Sequence, residues 1–189
     1  AAVAAALASV GWQGWQWYQG KQTAEASALY AVLQKAASEK NTQKSREAAG
    51  ALIEKYNGTA YADMAALLSA KVQAEAGDLK NARVPLAWAA TKASDPALRE
   101  LARLRLATVM FDDKAYDEAL AQLQAPTDES LVARFADLKG DILLAQGKRE
   151  EARAAYKAVV TALETTTKSE SAALREIAQA KLDAVGGAQ

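Results

Sequence analysis

Cysteine and histidine are both missing from the 189 residues, and there are only 3 prolines and 2 phenylalanines. Without thiolates or imidazoles there are no disulfides, no cysteine nucleophiles, no histidine general bases and none of the common zinc or haem ligand sets. Valine and isoleucine together number 13, against 48 alanines, so residues that suit a pleated sheet are scarce. Ala, Leu, Glu, Lys, Gln and Arg dominate instead, and the composition predicts an all-α protein of one or two compact domains. Excess charge of either sign is also lacking, with 23 basic and 23 acidic side chains. No overall field draws the chain to phosphate or anionic lipid, and nucleic acid is not an expected partner.

What is present begins with an apolar leading segment. Residues 1–11 read AAVAAALASVG and carry no charge; Trp12, Trp15, Trp17 and Tyr18 follow within seven positions. Eleven helical residues cover about 17 Å, roughly half of a ~30 Å hydrocarbon core, so this run is too short to span alone. The aromatic cluster fits an interfacial belt where a helix leaves a bilayer, and 1–18 reads as the end of a longer transmembrane helix. A buried helix or the apolar part of a signal peptide would also be apolar. A signal peptide should end in a small-residue cleavage site, and none precedes Lys21 after the belt.

From residue 22 onward the pattern is short helical segments divided by turn residues. The periodicity predicts helices over about 23–40, 44–56, 60–76, 79–92, 97–112, 116–124, 129–146, 149–166 and 170–185. Asn57-Gly58-Thr59 supplies a turn and a capping hydroxyl, Asp95-Pro96 starts a helix, and Ala125-Pro126-Thr127-Asp128 ends one helix and caps the next. Pro85 lies inside a predicted helix, which argues for a late start or a bend near Val84.

Self-similarity makes the helices an array. Gly77-Asp78-Leu79-x-x-Ala82, Lys114 to Ala119 and Gly147 to Ala152 resemble one another, and a degenerate copy ends at Ala48. The four alanines are separated by 34, 37 and 33 residues, the period of a tetratricopeptide repeat. The small residue admits a neighbouring helix, and Leu86, Leu123 or Tyr156, four positions later, fills the next gap. Gly140 sits seven residues before Gly147, where such repeats have a Gly that permits close helix contact.

The Trp-rich segment Gly11 to Tyr18, Leu104-Arg105-Leu106-Ala107, Tyr116-Asp117-Glu118-Ala119-Leu120, and Ala136 to Asp141 with Gly147 together resemble the ancillary subunits of the bacterial Sec translocon. The resemblance implies a single-span inner-membrane protein with a tetratricopeptide-like periplasmic domain. It also implies an association with translocon subunits and with a membrane-anchored periplasmic chaperone of the prolyl-isomerase type, and help for emerging polypeptides. On that reading 1–18 is the membrane segment and 22–189 the repeat domain with a C-terminal capping helix.

Sites for chemistry are sparse. No phosphate-binding glycine motif or nucleophile elbow occurs, and Asp112-Asp113 reads as a solvated helix end. No cofactor, metal or enzymatic activity is expected. Paired helices offer an extended face lined by the first helix of each pair. The usual inward positions of such repeats give Met64, Leu67, Leu101, Leu104, Phe111, Arg134, Asp137, Asp141 and Leu144 as protein-binding residues, with Trp12, Trp15, Trp17 and Tyr18 at the membrane interface. The apolar residues of 98–111 cover too wide an arc for one stripe, and either pack in the core or face a groove. A soluble periplasmic repeat scaffold, or an assembly subunit of an envelope complex, is the alternative function.

Overall fold

The computed structural model describes residues 2–164 and 169–186, which form nine α-helices: α1 (Ala2–Ser38), α2 (Thr42–Lys55), α3 (Ala60–Glu75), α4 (Leu79–Lys92), α5 (Pro96–Asp112), α6 (Tyr116–Gln122), α7 (Glu129–Ala145), α8 (Arg149–Leu163) and α9 (Ser169–Gly186). The all-α expectation holds, and most predicted boundaries fall within a few residues of those seen. Residues 165–166, predicted to finish the eighth helix, and residues 187–189 of the expected repeat domain lie outside the described residues.

Two compact units divide the chain, Ala1–Asp95 and Pro96–Gln189. In the first, α2 packs on α1 and α3, α3 also meets α1, and α4 packs on α3. Its core gathers Ala26, Leu33, Ala48, Ala49, Leu52 and Ala65, bordered by Tyr30, Tyr56 and Tyr61. Alanine at so many of these positions is what lets helix axes approach, because a methyl group adds little to the backbone radius. In the second unit Leu104, Ala107, Ala119, Leu123, Leu131, Phe135, Leu138 and Ile142 form one core, joining α5, α6 and α7. Helix α9 packs on α8.

Each helical hairpin closes in the same way. Lys40, Gly77, Lys114 and Gly147 take positive φ of 53°, 79°, 60° and 78°, at intervals of 37, 37 and 33 residues. At each, the next amide donates to a carbonyl five residues back: Asn41 to Ala36, Asp78 to Gln73, Ala115 to Met110 and Lys148 to Leu143, at 2.8–2.9 Å. This is the Schellman closure, and glycine occupies it without steric cost at two of the four sites. Five residues after each left-handed turn comes a completely buried small residue: Ser45, Ala82, Ala119 and Ala152, all 0% exposed. The small position of the first repeat is therefore Ser45, and the expected Ala48 is three residues out of register. An alanine-only search passes over a serine that serves the same steric purpose.

Three local expectations change. The late start weighed for Pro85 does not occur: α4 starts at Leu79 behind the Asp78 cap and continues to Lys92. Thr59 does not cap α3; its hydroxyl donates back to the Tyr56 carbonyl at 2.8 Å. The leading apolar segment is not a separate element, since α1 runs unbroken through Gly11, Gly14 and Gly20.

For the predicted transmembrane end, read as too short to span alone, the structure supplies no full span. Among the described residues no helix is long and apolar enough to cross a membrane. At 37 residues α1 has the length, but glutamines and glycines dilute its uncharged part, and Lys21 then ends it.

Candidate protein-interaction site

The predicted binding residues lie on α3, α5 and α7, the first helices of their hairpins, but their surroundings differ. In the first unit Met64 is 36% exposed, whereas Leu67 is buried. In the second, Arg134 and Leu144 are exposed, and Leu101 and Phe111 are half-buried. Leu104 lies in the core against the Leu131, Phe135 and Leu138 side of α7. The apolar arc of 98–111 is thus largely core: Leu104, Leu106, Ala107 and Val109 are all buried, and Phe111 lies with its ring 5.9 Å from that of Tyr116.

Asp137 and Asp141 are engaged within the chain. Lys181 of α9 donates to Asp137 Oδ1 at 2.8 Å and to Asp141 Oδ2 at 2.9 Å, and the Tyr156 hydroxyl donates to Asp141 Oδ1 at 2.8 Å. The ammonium lies 5.4 Å from the Tyr156 ring centre, a cation–π contact. Burial, then the hydrogen bond to Asp141, pushes the Tyr156 phenol well above its usual range. For Lys181 burial opposes the charge, but the hydrogen bonds to Asp137 and Asp141 outweigh it and hold the amine above its ordinary value. Tyr156 is fully buried and reaches this position because Gly140 has no side chain: a Cβ there would meet Tyr156 Cε1 and lie 2.6 Å from Cδ1. The sequence marked Gly140 and Tyr156 each as a packing position without pairing them; Lys181, on α9 and 29 residues past Ala152, carried no signal.

Two further carboxylates, unnoticed in the sequence, fix the loops that lead into the next hairpin. Asp63, 1% exposed, accepts from the Ser94 amide at 3.0 Å and its hydroxyl at 2.6 Å. Glu100 accepts from the Thr127 amide and hydroxyl at 2.8 and 2.6 Å and from the Asp128 amide at 3.0 Å. The Thr127 bonds, with that from Asp128, hold the Glu100 carboxyl below its usual range. Asp63 and Glu100 both stand nineteen residues before the small residue of their repeat, Ala82 and Ala119, so the repeat reproduces a polar clamp as well as a packing contact. Asp112 and Asp113 are both exposed, as expected of a solvated end, and no cluster of metal-ligating side chains occurs among the described residues.

Trp12, Trp15, Trp17 and Tyr18 are 53–69% exposed on α1. At about 100° per residue Trp12, Trp15 and Tyr18 fall on one face within an arc of about 120°, and Trp17 points away from it. The Trp12 and Trp15 rings are 5.5 Å apart, and the Lys21 ammonium lies 5.8 Å from the Trp17 ring.

The family model of a tetratricopeptide repeat-like domain matches residues 1–187. An ancillary SecYEG translocon subunit of Haemophilus influenzae is 34% identical over 151 residues, covering 78% of this chain and 72% of that protein. One of Neisseria gonorrhoeae is 30% identical over 184 residues, covering 97% and 86%. The chain belongs to the family of ancillary SecYEG translocon subunits. The all-helical hairpins with their repeated closures are its tetratricopeptide-like domain.

Proposed function

We propose that this chain is a non-enzymatic, membrane-tethered interaction module of the Sec translocon, which brings a membrane-anchored periplasmic chaperone of the prolyl-isomerase type close to emerging polypeptides. The kinship with translocon subunits over nearly the whole chain is the observation that carries this reading. Each unit has its own binding face among the accessible members of the expected set: Met64 in the first, and Leu101, Phe111, Arg134 and Leu144 in the second. Leu67 supports the first from beneath and Leu104 the second, and Asp137 and Asp141 shape the second through their bonds to Lys181. A mixed surface of apolar side chains and scattered charge suits a helical or extended segment of another protein.

Tethering is assigned to α1, with the chain in the inner membrane and the repeat domain in the periplasm. The cluster of four exposed aromatic rings within seven positions supports this, because amphipathic rings concentrate where a helix meets the membrane–water interface. The test is co-purification from mild detergent of the full chain with substitutions at exposed positions, Met64→Glu and Leu144→Glu. Both should lose translocon or chaperone while keeping the thermal midpoint. Unchanged recovery of both partners would refute the assigned faces.

A soluble periplasmic scaffold is the second reading, favoured by the want of a membrane-crossing helix among the described residues. Alkaline carbonate extraction of the native protein separates the two: retention in the membrane pellet supports the tether, and full release supports the scaffold.

A further inference from the structure

Helices α2 and α4 both rest on α3 and leave a cleft of about 250 Å³ between them, lined by Arg46, Gly50, Ile53, Ser69, Asn81, Val84, Pro85 and Trp88 among others. None of these residues belongs to the binding faces assigned above. The walls are mainly apolar: Val84 is 67% exposed, and Gly50 has nothing within 4 Å of where a Cβ would stand, so the helix backbone itself forms one side. A cavity of roughly 150 Å³ takes a benzene, so this cleft has room for a bicyclic aromatic ring.

Its polar features are few and specific. Pro85 has no N–H, so the Asn81 carbonyl, four residues earlier on the same side of α4, loses its helical donor. Both residues line the cleft, Pro85 buried and Asn81 half-buried, so this acceptor borders its apolar groups. At the rim, the Arg46 guanidinium is half exposed and reaches Asp78 only at 3.9 Å, beyond hydrogen-bonding distance. The Asp78 oxygens are already occupied by the Asn81 amide at 3.2 Å and side chain at 2.7 Å. An apolar slot with one bordering acceptor and an under-used cation at its mouth complements a flat aromatic ring with one N–H donor, next to a carboxylate.

We propose that this cleft is a socket for a tryptophan side chain of a partner polypeptide, with an acidic residue beside it in sequence. The indole ring fills the space between Ile53, Val84 and Trp88, its N–H donates to the Asn81 carbonyl, and the neighbouring carboxylate pairs with Arg46. The inference rests on the interaction-module reading only in taking the partner to be a polypeptide.

The test uses the full chain in mild detergent and the peptide acetyl-Ala-Ala-Trp-Asp-Ala-amide carrying 5-fluorotryptophan, titrated by fluorine NMR. The peptide should bind about five-fold more tightly than its 1-methyltryptophan analogue, the effect of one hydrogen bond. Pro85→Ala returns an N–H to the Asn81 carbonyl and should erase that preference while apolar binding persists. Gly50→Leu fills the cleft and should weaken binding at least ten-fold without lowering the thermal midpoint. Equal affinity for the two peptides with the parent chain, or parent-like affinity in Gly50→Leu, would overturn the proposal. So would self-association that both Trp15→Ala and Gly50→Leu abolish, since a second copy's α1 would then be the occupant. These peptide affinities are read independently of translocon recovery, so either idea can fail alone.

Discussion

Replacing one glycine by alanine should have opposite effects in the two units, and the sign depends only on what surrounds the new methyl group. At Gly140 the Cβ would lie 2.6 Å from Tyr156 Cδ1 and 2.9 Å from Cζ, against a ring that is completely buried and fixed by the Asp141 bond. Overpacking of this kind costs typically about 1–3 kcal/mol. Shifting the ring also weakens a hydrogen bond to a partly exposed carboxylate, for roughly 1 kcal/mol more. Alanine's better helix propensity returns about 1 kcal/mol, leaving a net loss of about 2 kcal/mol. For a unit of this size that lowers the melting midpoint by roughly 8–16 °C. Gly50 lies within α2 with open space around it, so there alanine gains the propensity alone, about 1 kcal/mol. Thermal melts of Gly140→Ala and Gly50→Ala, followed by circular dichroism at 222 nm, read both shifts. If both raise the midpoint, the Gly140–Tyr156 contact does not constrain the fold and the packing argument is refuted.

The Lys181 clamp should fail in alkali. Tyr156 and Lys181 both hold their protons more tightly folded than unfolded, so their stabilisation is complete below pH 10, the ordinary phenol value, and is lost as pH rises through the shifted values. Urea midpoints measured between pH 8 and 11.5 should fall more steeply for the parent than for Lys181→Met; parallel curves would contradict this. Lys181→Met should also speed amide exchange in α9 by about ten-fold while leaving α2 to α4 unaffected, as mass spectrometry would show. Glu100→Gln turns one acceptor into a donor facing N–H groups and should cost about 2 kcal/mol in urea unfolding. The Glu100 carboxyl is lowered, so its contribution is present above its ordinary value near 4.5 and fades as pH falls through the folded value; acid titration of the variant should lack that step. Protection of α7's first turn that survives Glu100→Gln unchanged would count against the clamp.

The fold was legible because its signals are local. Turn glycines, Asp78 and Asp128 caps and the small residue five positions past each turn all lie within one hairpin, and their spacing repeats along the chain. The register of the first copy slipped because Ser45 and Ala48 are both small and both buried, and only the five-residue distance from the left-handed turn at Lys40 distinguishes them. The late start at Pro85 failed for a different reason: Asp78 caps α4 seven residues earlier, and packing on α3 tolerates one missing hydrogen bond. Partner-facing and core residues were harder to separate. Leu67 and Leu104 occupy the usual inward positions, yet neighbouring helices cover them, and no period within one helix records that. Asp137 and Asp141 looked like free polar surface because their partner, Lys181, is 40 or more residues away in the chain. The α2/α4 cleft was invisible too, since it depends on a glycine and a proline from different hairpins meeting across α3.

A photo-reactive amino acid placed at Met64, Arg134 or Leu144, with Lys92 and Glu151 as exposed controls on second helices, tests most directly whether the first-helix faces bind the secretion machinery. In intact membranes the account predicts adducts with translocon or chaperone subunits from the first three positions and none from the controls. Adducts of equal yield from all five, or from the controls alone, would contradict it.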